Sequence, residues 1–402
     1  MPIISHSNSP QWIKEEVFSI YENEAKNQDI RPLRIGFINY MPDKAFIATE
    51  EDFIKPIIEA AGGLQFEIIF LKSKSIKRSV EIQEYINNHY QEINLEILKQ
   101  CDILIQSGAN EIGENNEGLD FKNSDFAKEV IKNYKLAQKA QVTTQVASCS
   151  ASHIIAHNLY DISVERISDK SNYKKLMGVY PHYVTKNSKN NFITKNLNSE
   201  FNIIYARNYA ISSEEIKNHK ILKPLIVSSE KIGTFKGEAQ KETHLFYDPK
   251  ELFFGFTGHP EYQKFAILKE YLRDIGIYYR DSENINLPEI PPNYFTKKGF
   301  EQMKKFIEEV KKIAKIRSKI KSEIKSKNYE DLEKIYQFDK ENRPKIDNSI
   351  YDEVIQSWKD TGDKIWARIF NATYQLTGFD AGQKITNKRG VSKHEFPLDA
   401  FG

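Results

Sequence analysis

Short apolar runs alternate with helical patterns through the first half of the chain, and this alternation limits the folds available to it. Runs of this kind, rich in β-branched and aromatic residues, are typical of buried strands, and apolar residues at three- and four-residue spacing are typical of helices. Four runs are predicted strands: residues 33–38, 66–71, 102–105 and 142–147. Helical patterns span residues 49–61, 79–99 and 126–140. Alternating strands and helices form parallel βαβ units, so we predict an α/β fold with a parallel sheet flanked by helices.

Loops at the carboxyl ends of three predicted strands carry polar or reactive residues. In a parallel sheet these ends meet at one edge, where ligands bind. Residues 39–44, residues 108–111 and Cys149 all lie at such ends. Cys149 is flanked by small residues, as a nucleophile on a sharp strand-to-helix turn requires: Ala147, Ser148, Ser150 and Ala151. A catalytic thiol is one interpretation of Cys149, and a buried cysteine acting as a small hydrophobe is the other.

Composition excludes several classes of protein. The 402 residues include only two cysteines, Cys101 and Cys149, so a disulfide scaffold is excluded and we expect no metal site. A net charge of +2 gives no general attraction to nucleic acid or membranes. No apolar run approaches the length of a membrane span, and residues 1–16 lack the pattern of a secretory signal. We therefore expect a cytoplasmic protein in which a thiol stays reduced.

A histidine and a glutamate follow an apolar strand pattern late in the chain. Residues 252–257 are the predicted strand, and Gly258, His259, Pro260 and Glu261 come directly after it. A thiol nucleophile needs a base, and the base needs a group that orients it. A cysteine and a His-x-Glu pair at strand ends are the arrangement of class I glutamine amidotransferase-like folds, which are flavodoxin-like sandwiches.

Further segments resemble the homoserine O-acyltransferase family, whose members transfer acetyl or succinyl groups in methionine biosynthesis. The strongest is Gly258-His259-Pro260-Glu261-Tyr262, and the order and spacing of the others agree with it. The other matching segments are residues 31–36, 39–44, 108–109, 178–182, 270–274, 292–295 and 374–377, together with the Cys149 turn.

The resemblance implies a ping-pong acyltransferase that needs no cofactor and takes an acyl-CoA as co-substrate. Cys149 would hold the acyl group, His259 would be the general base, and Glu261 would orient His259. The resemblance also suggests an amino-acid acceptor and a homodimer.

The resemblance extends to residues that bind substrate. Arg273 matches the arginine that binds the carboxylate of the acceptor, and Lys175 matches a substrate-binding lysine. Lys44 belongs to the loop that would help to bind the substrate and form the oxyanion hole.

The chain departs from the family pattern at three places. Ser150 follows the nucleophile where the family has an aromatic residue. The position that selects acetyl or succinyl falls on Ile112, with Glu111 one residue earlier. A serine that contacts homoserine in the family would fall on Arg207, within residues 205–209, or be missing, and Arg207 is the candidate substrate-binding residue there.

These departures leave the acyl donor open and keep other functions in view. The same thioester chemistry could serve another amino-acid or amine acceptor. A hydrolase or amidotransferase-like enzyme would release the acyl group to water or ammonia. A catalytically silent scaffold is a third alternative, although Cys149, His259 and Glu261 are all present.

The expected domain organisation follows from shifts in composition. Residues 1–30 would form a peripheral arm, and residues 31–295 the amidotransferase-like catalytic domain. Residues 296–357, rich in Lys and Glu, would be a helical insertion. Residues 358–402 would add a C-terminal helix, packed on the catalytic domain, and a tail.

Overall fold

The computed structural model describes residues 3–16, 19–26, 31–60, 64–109, 118–167, 175–323 and 329–377. The strands are β1 (Ile3–Ser5), β2 (Ser19–Tyr21), β3 (Leu33–Ile38), β4 (Phe66–Leu71), β5 (Ile103–Gln106), β6 (Thr144–Ser148), β7 (Val164–Arg166), β8 (Leu176–Val184), β9 (Phe201–Arg207), β10 (Tyr209–Ile211), β11 (Lys223–Phe235), β12 (Glu238–Asp248) and β13 (Phe253–Phe256). The helices are α1 (Gln11–Lys14), α2 (Glu22–Ala25), α3 (Asp43–Glu59), α4 (Val80–His89), α5 (Leu95–Leu98), α6 (Asp125–Lys139), α7 (Ser150–Tyr160), α8 (Ser213–Asn218), α9 (Ala266–Arg280), α10 (Lys297–Glu323), α11 (Tyr329–Asn342) and α12 (Lys359–Leu376). Short 3₁₀ turns occupy Lys186–Ser188 and Asn348–Glu353.

A central sheet of eleven strands runs in the order β2-β1-β4-β3-β5-β6-β13-β12-β11-β8-β9. The strands from β2 to β13 are parallel, and those from β13 to β9 pair antiparallel. The predicted parallel sheet flanked by helices is confirmed, and the bounds of β3 and β4 are those predicted. Helix α3 begins at Asp43, ahead of the predicted start at Thr49, because an acidic residue suits the first turn of a helix.

Strands β6 and β13 are parallel neighbours although about a hundred residues separate them in the chain. Ser148 lies opposite Phe256 at the ends of the two strands. The residues that follow both strands therefore emerge at the same edge of the sheet. This register brings Cys149 and the turn at His259 to one place.

Two short strands in the segment predicted to be a peripheral arm, β1 and β2, pair into one edge of the central sheet. Strand β1 pairs with β4 and carries β2 beyond it. Ile3 and Ile13 are almost fully buried. A three-residue strand has too little periodicity to stand out in a sequence, and only its pairing with β4 identifies it.

Residues 225–227 and residues 231–235 both belong to the single long strand β11. The turn lies at Lys236 and Gly237, whose φ angles of 50° and 77° suit a two-residue hairpin. Strand β12 is the partner of β11, with Phe235 opposite Glu238.

The C-terminal helices pack on the sheet and on α9. Trp366 of α12 lies 5.5 Å from Phe256 of β13, ring centroid to ring centroid. The apolar side of α10 is buried at Met303 and Val310, whereas Ile316, near the end of the helix, is 46% exposed. Among the described helices, none is both long enough and apolar enough to cross a membrane.

Glu50 joins the N-terminal segment to the core through a buried carboxylate. Its Oε1 accepts hydrogen bonds from Trp12 Nε1 at 2.8 Å and from Tyr85 Oη at 2.7 Å. Its Oε2 accepts one from Tyr90 Oη at 2.5 Å. Burial raises the pKa of Glu50, and the three hydrogen bonds oppose that rise.

Replacement of Glu50 by alanine tests this junction. Glu50→Ala leaves three donors without their acceptor, so we expect the free energy of unfolding to fall by about 3 kcal/mol. Urea denaturation followed by tryptophan fluorescence measures the change. Glu51→Ala, which removes only a half-exposed pair with Lys55, should cost less than about 1 kcal/mol. Equal losses for the two variants would contradict the role given to Glu50.

Candidate active site

Cys149 occupies a strained turn between β6 and α7. Its φ and ψ angles are 51° and −124°, a combination that non-glycine residues rarely adopt. Its N–H donates to the carbonyl of Phe256 at 2.8 Å, and its own carbonyl accepts from the N–H of His153 at 3.1 Å. The residue is 5% exposed. This is the strand-to-helix geometry that presents a nucleophile at the end of a sheet.

The end of β5 lies directly against this turn. A Cβ atom added to Gly108 would be 3.0 Å from the Cβ of Cys149, which explains a glycine at that position. The hydroxyl of Ser150 accepts a hydrogen bond from the N–H of Ala109 at 2.8 Å. Ser150, where the family pattern has an aromatic residue, therefore fixes the loop after β5.

His259 and Glu261 form a buried pair on the turn that follows β13. Nδ1 of His259 donates to Oε1 of Glu261 at 2.8 Å, and this oxygen also accepts from Oγ of Ser148 at 3.0 Å. The imidazole stacks on the ring of Tyr262, with centroids 4.0 Å apart and planes 15° apart. With Nδ1 held by a carboxylate, proton exchange with a reacting group falls to Nε2.

Tyr262, which stacks on His259, also responds to charge at Cys149. Burial raises the pKa of Tyr262, and the charges of Glu270 and Cys149 raise it further. The phenol that stacks on His259 therefore lies within electrostatic reach of the Cys149 sulfur. The three residues predicted to be catalytic are brought together at one edge of the sheet.

Lys175 and Arg273 meet in a cluster with two carboxylates. Nζ of Lys175 lies 3.2 Å from Oδ2 of Asp274 and 3.4 Å from Oε2 of Glu270. Nη2 of Arg273 lies 2.9 Å from Oδ1 of Asp274 and 3.4 Å from Oε1 of Glu270. The side chain of Arg273 is 45% exposed, whereas that of Asp274 is fully buried. The charge of Glu270 also raises the pKa of Tyr262, the ring that stacks on His259.

Arg207 lies inside the protein, behind the Cys149 turn. It is fully buried and forms an ion pair with the buried carboxylate of Glu242. Nη1 lies 3.3 Å from Nε2 of His153, and the guanidinium is 5.2 Å from the ring centroid of Tyr205. Burial lowers the pKa of Arg207, but Glu242, Tyr205 and Cys149 outweigh it and raise that pKa. Its guanidinium thus neutralises an internal carboxylate within reach of the thiol.

Three candidate residues are described only in part or not at all. Lys44 lies in the first turn of α3, but its side chain is outside the described part of the chain. Glu111 and Ile112 lie outside the described residues. Across the ranges that are described, no group of three or more His, Cys, Asp and Glu side chains is arranged to hold a metal ion.

Sequence reasoning missed several residues that complete the site. Ser148 was noted only as a small neighbour of the thiol, yet it donates to Glu261. Asp274 pairs with both Lys175 and Arg273. Its position next to Arg273, in a segment that matches the family, could have identified it as a site residue. No sequence feature pointed to Glu242 as the partner of Arg207, because its segment was not predicted to be a strand.

The turn that carries His259 is held from outside by α12. Nε1 of Trp358 donates to the carbonyl of Tyr262 at 2.9 Å. A Cβ atom added to Gly362 would lie 2.5 Å from the carbonyl oxygen of Pro260. The beginning of α12 therefore packs directly on the backbone of the turn, and a side chain at position 362 would clash with it.

Comparison with known proteins gives one consistent family. Residues 2–379 match the model of the family described as homoserine O-succinyltransferase. A protein of that name from Cardiobacterium hominis is 27% identical over 94% of this chain and 93% of its own length. Another of that name, from Methylobacter tundripaludum, is 31% identical over 73% of this chain and 77% of its own length.

Solved structures show a partial likeness. A glutamine amidotransferase from Thermotoga maritima has 13% identity and a TM-score of 0.36, covering 61% of this chain and 82% of that chain. The glutaminase domain of Trypanosoma brucei CTPS has 12% identity and a TM-score of 0.38, covering 58% of this chain and 87% of that chain.

A methyl group at Gly362 tests how tightly α12 holds the turn. Because the added carbon of Gly362→Ala would meet the carbonyl of Pro260, we expect a loss of about 2 kcal/mol in the free energy of unfolding. We also expect slower alkylation of Cys149 by iodoacetamide, measured by peptide mass spectrometry, because the base moves with the turn.

Gly276→Ala is the matched control. Its added carbon would meet no atom closer than 3.7 Å, the Nη1 of Arg280, so we expect unchanged alkylation and equal or higher stability. If Gly362→Ala alkylated at the rate of the unmodified protein, α12 would not position the base.

Proposed function

Because this chain belongs to the homoserine O-succinyltransferase family, we propose that it transfers an acyl group from an acyl-CoA to the hydroxyl of homoserine through a thioester on Cys149. The observation that carries this proposal is the pairing of β6 with β13. Because of this pairing, the strained Cys149 turn and a histidine whose Nδ1 is held by a buried carboxylate follow neighbouring parallel strands at the same edge of the sheet. A nucleophile, its base and an orienting group are the requirements of covalent acyl transfer.

In the first step, the sulfur of Cys149 attacks the thioester carbon of the acyl-CoA. His259 accepts the thiol proton on Nε2, and the resulting imidazolium is stabilised by the carboxylate of Glu261 at 2.8 Å. When the bond between the carbonyl carbon and the CoA sulfur breaks, His259 returns the proton to that sulfur. CoA leaves as a free thiol, and the acyl group stays on Cys149.

In the second step, the hydroxyl of homoserine replaces CoA. His259 takes the hydroxyl proton as the oxygen attacks the acyl carbon. The bond to Cys149 breaks, and His259 returns the proton to the sulfur. The second step uses the same three groups as the first, so the enzyme ends in its starting state.

The cluster of Lys175, Glu270, Arg273 and Asp274 supports an amino-acid acceptor. An amino acid carries a carboxylate and an ammonium group close together, and the cluster offers charges of both signs in a small space. Arg273 is the most exposed member, and its guanidinium can bind a carboxylate with two parallel hydrogen bonds. The buried carboxylate of Asp274 pairs with both Lys175 and Arg273 and holds them in place.

The names of the relatives favour succinyl as the acyl group. Both the relatives described above and the family carry that name. Glu111 and Ile112, on which acyl selection was predicted to fall, are the residues at which the choice between succinyl and acetyl can be tested by substitution.

Intact-mass spectrometry tests the proposal directly. Incubation with succinyl-CoA should add one succinyl group to Cys149, and acetyl-CoA should give less adduct. Homoserine should then remove the adduct and appear as its O-acyl ester. His259→Ala should abolish the adduct, because without a base the thiol stays protonated. Absence of an adduct on Cys149 with either donor would overturn the transferase mechanism.

Arg273→Ala separates acceptor binding from acylation. The adduct should form at the normal rate, but transfer to homoserine should fall by about 100-fold, because charge-assisted hydrogen bonds to a carboxylate contribute about 3 kcal/mol. Arg280→Ala, at the exposed end of the same helix, should leave both steps unchanged. Loss of the adduct in Arg273→Ala would show that Arg273 acts in acylation as well as in acceptor binding. Release of the free acid in the absence of homoserine would indicate a hydrolase.

A further inference from the structure

Asp52 is a second carboxyl group that faces the turn carrying His259 and Glu261. It projects from α3, and its Oδ1 accepts a hydrogen bond from the N–H of Gln263 at 3.3 Å. The side chain is half-buried between α3 and the turn. Gln263 follows Tyr262, so this bond fixes the backbone just beyond the base and its orienting group.

The groups that face Asp52 come from three elements. Glu261 and His259 interact with it from the turn, and Lys269 from α9. Two phenols, those of Tyr262 and Tyr294, also interact with its charge. Asp52 therefore shares its surroundings with both members of the base–orienter pair.

Burial raises the pKa of Asp52 to about 7. The hydrogen bond from Gln263 opposes this rise, and the negative charge of Glu261 adds to it. Lys269 and His259 favour the ionised form and lower the pKa. Oε2 of Glu261 is buried and has no hydrogen-bond partner among the described residues.

We propose that Asp52 is a positioning residue that holds the His259 turn through Gln263 and, by gaining or losing its own charge, controls how readily His259 takes the proton of Cys149. This inference rests on the proposed function, because it assumes that His259 is the base for Cys149. Helix α3 would then take part in the chemistry, a role that its amphipathic sequence pattern does not indicate.

The direction of the effect follows from the charges. At low pH, Asp52 is protonated and neutral, so Glu261 alone supports the imidazolium. At high pH, Asp52 adds a second negative charge near His259, which stabilises the imidazolium formed when Cys149 ionises. The thiolate–imidazolium pair therefore becomes more populated as Asp52 loses its proton.

The variant Asp52→Asn tests this inference. Asparagine keeps an oxygen to accept the hydrogen bond from Gln263 but cannot ionise. The measurement is the rate of Cys149 alkylation by iodoacetamide as a function of pH, followed by peptide mass spectrometry. We expect the variant to match the unmodified protein below about pH 6 and to react about tenfold more slowly near pH 8, since tenfold corresponds to one pKa unit.

Glu51→Gln is the control for a general charge effect. It removes a carboxylate from the next position of α3, where the side chain pairs with Lys55 rather than facing the turn. This variant should follow the unmodified protein at every pH. Superimposable profiles for Asp52→Asn and the unmodified protein would overturn the inference. It would also be overturned if Asp52→Asn slowed alkylation equally at every pH, or if Glu51→Gln had the same effect as Asp52→Asn.

Alkylation keeps this test separate from that of the proposed function. Iodoacetamide reports the ionisation of Cys149 whether or not acyl-CoA is a substrate. If the acyl adduct fails to form but the pH profiles diverge as expected, the transferase mechanism is wrong and the role of Asp52 stands. If the adduct forms but the profiles coincide, the role of Asp52 is wrong and the mechanism stands.

Discussion

The site depends on one pairing of strands, that of β6 with β13. The N–H of Cys149 donates to the carbonyl of Phe256, the last residue of β13, so the sheet hydrogen bonds continue up to the nucleophile. This bond holds the strained φ angle of Cys149 and fixes where the next residues of β13 emerge. His259 follows three residues later, and its position is set by the same sheet. The relation between thiol and base therefore rests on backbone hydrogen bonds, which are more rigid than side-chain contacts.

Helices from opposite ends of the chain complete the support of the base. Asp52 of α3 accepts from the backbone after Tyr262, and Trp358 at the start of α12 donates to the carbonyl of Tyr262 itself. The close approach of Gly362 to Pro260 leaves the turn no room to move outward. Catalysis by a positioned base requires this kind of restraint, because small displacements of reacting groups reduce rates strongly.

Charge is compensated in two separate clusters. The guanidinium of Arg207 is fully buried and paired with Glu242. Lys175 and Arg273 are held by Asp274 and Glu270. Both partners of a buried ion pair are shielded from a ligand. Arg273, in contrast, is 45% exposed, so its guanidinium can contact one. The two arginines singled out in the sequence thus lie in different surroundings, which the residue type alone does not reveal.

The sequence by itself determined the local elements and the reactive groups. Apolar runs placed β3 and β4 correctly, small residues marked the Cys149 turn, and a histidine with a glutamate two residues later marked the turn after β13. Tertiary structure alone decided that β1 joins the sheet, that Glu242 neutralises Arg207, and that Asp52 bonds to the backbone of the turn that carries the base. The physical reason is range: periodicity and turn chemistry act over a few residues, whereas these contacts join segments far apart in the chain. Their formation depends on which strands become neighbours, and that is settled only when the whole core packs.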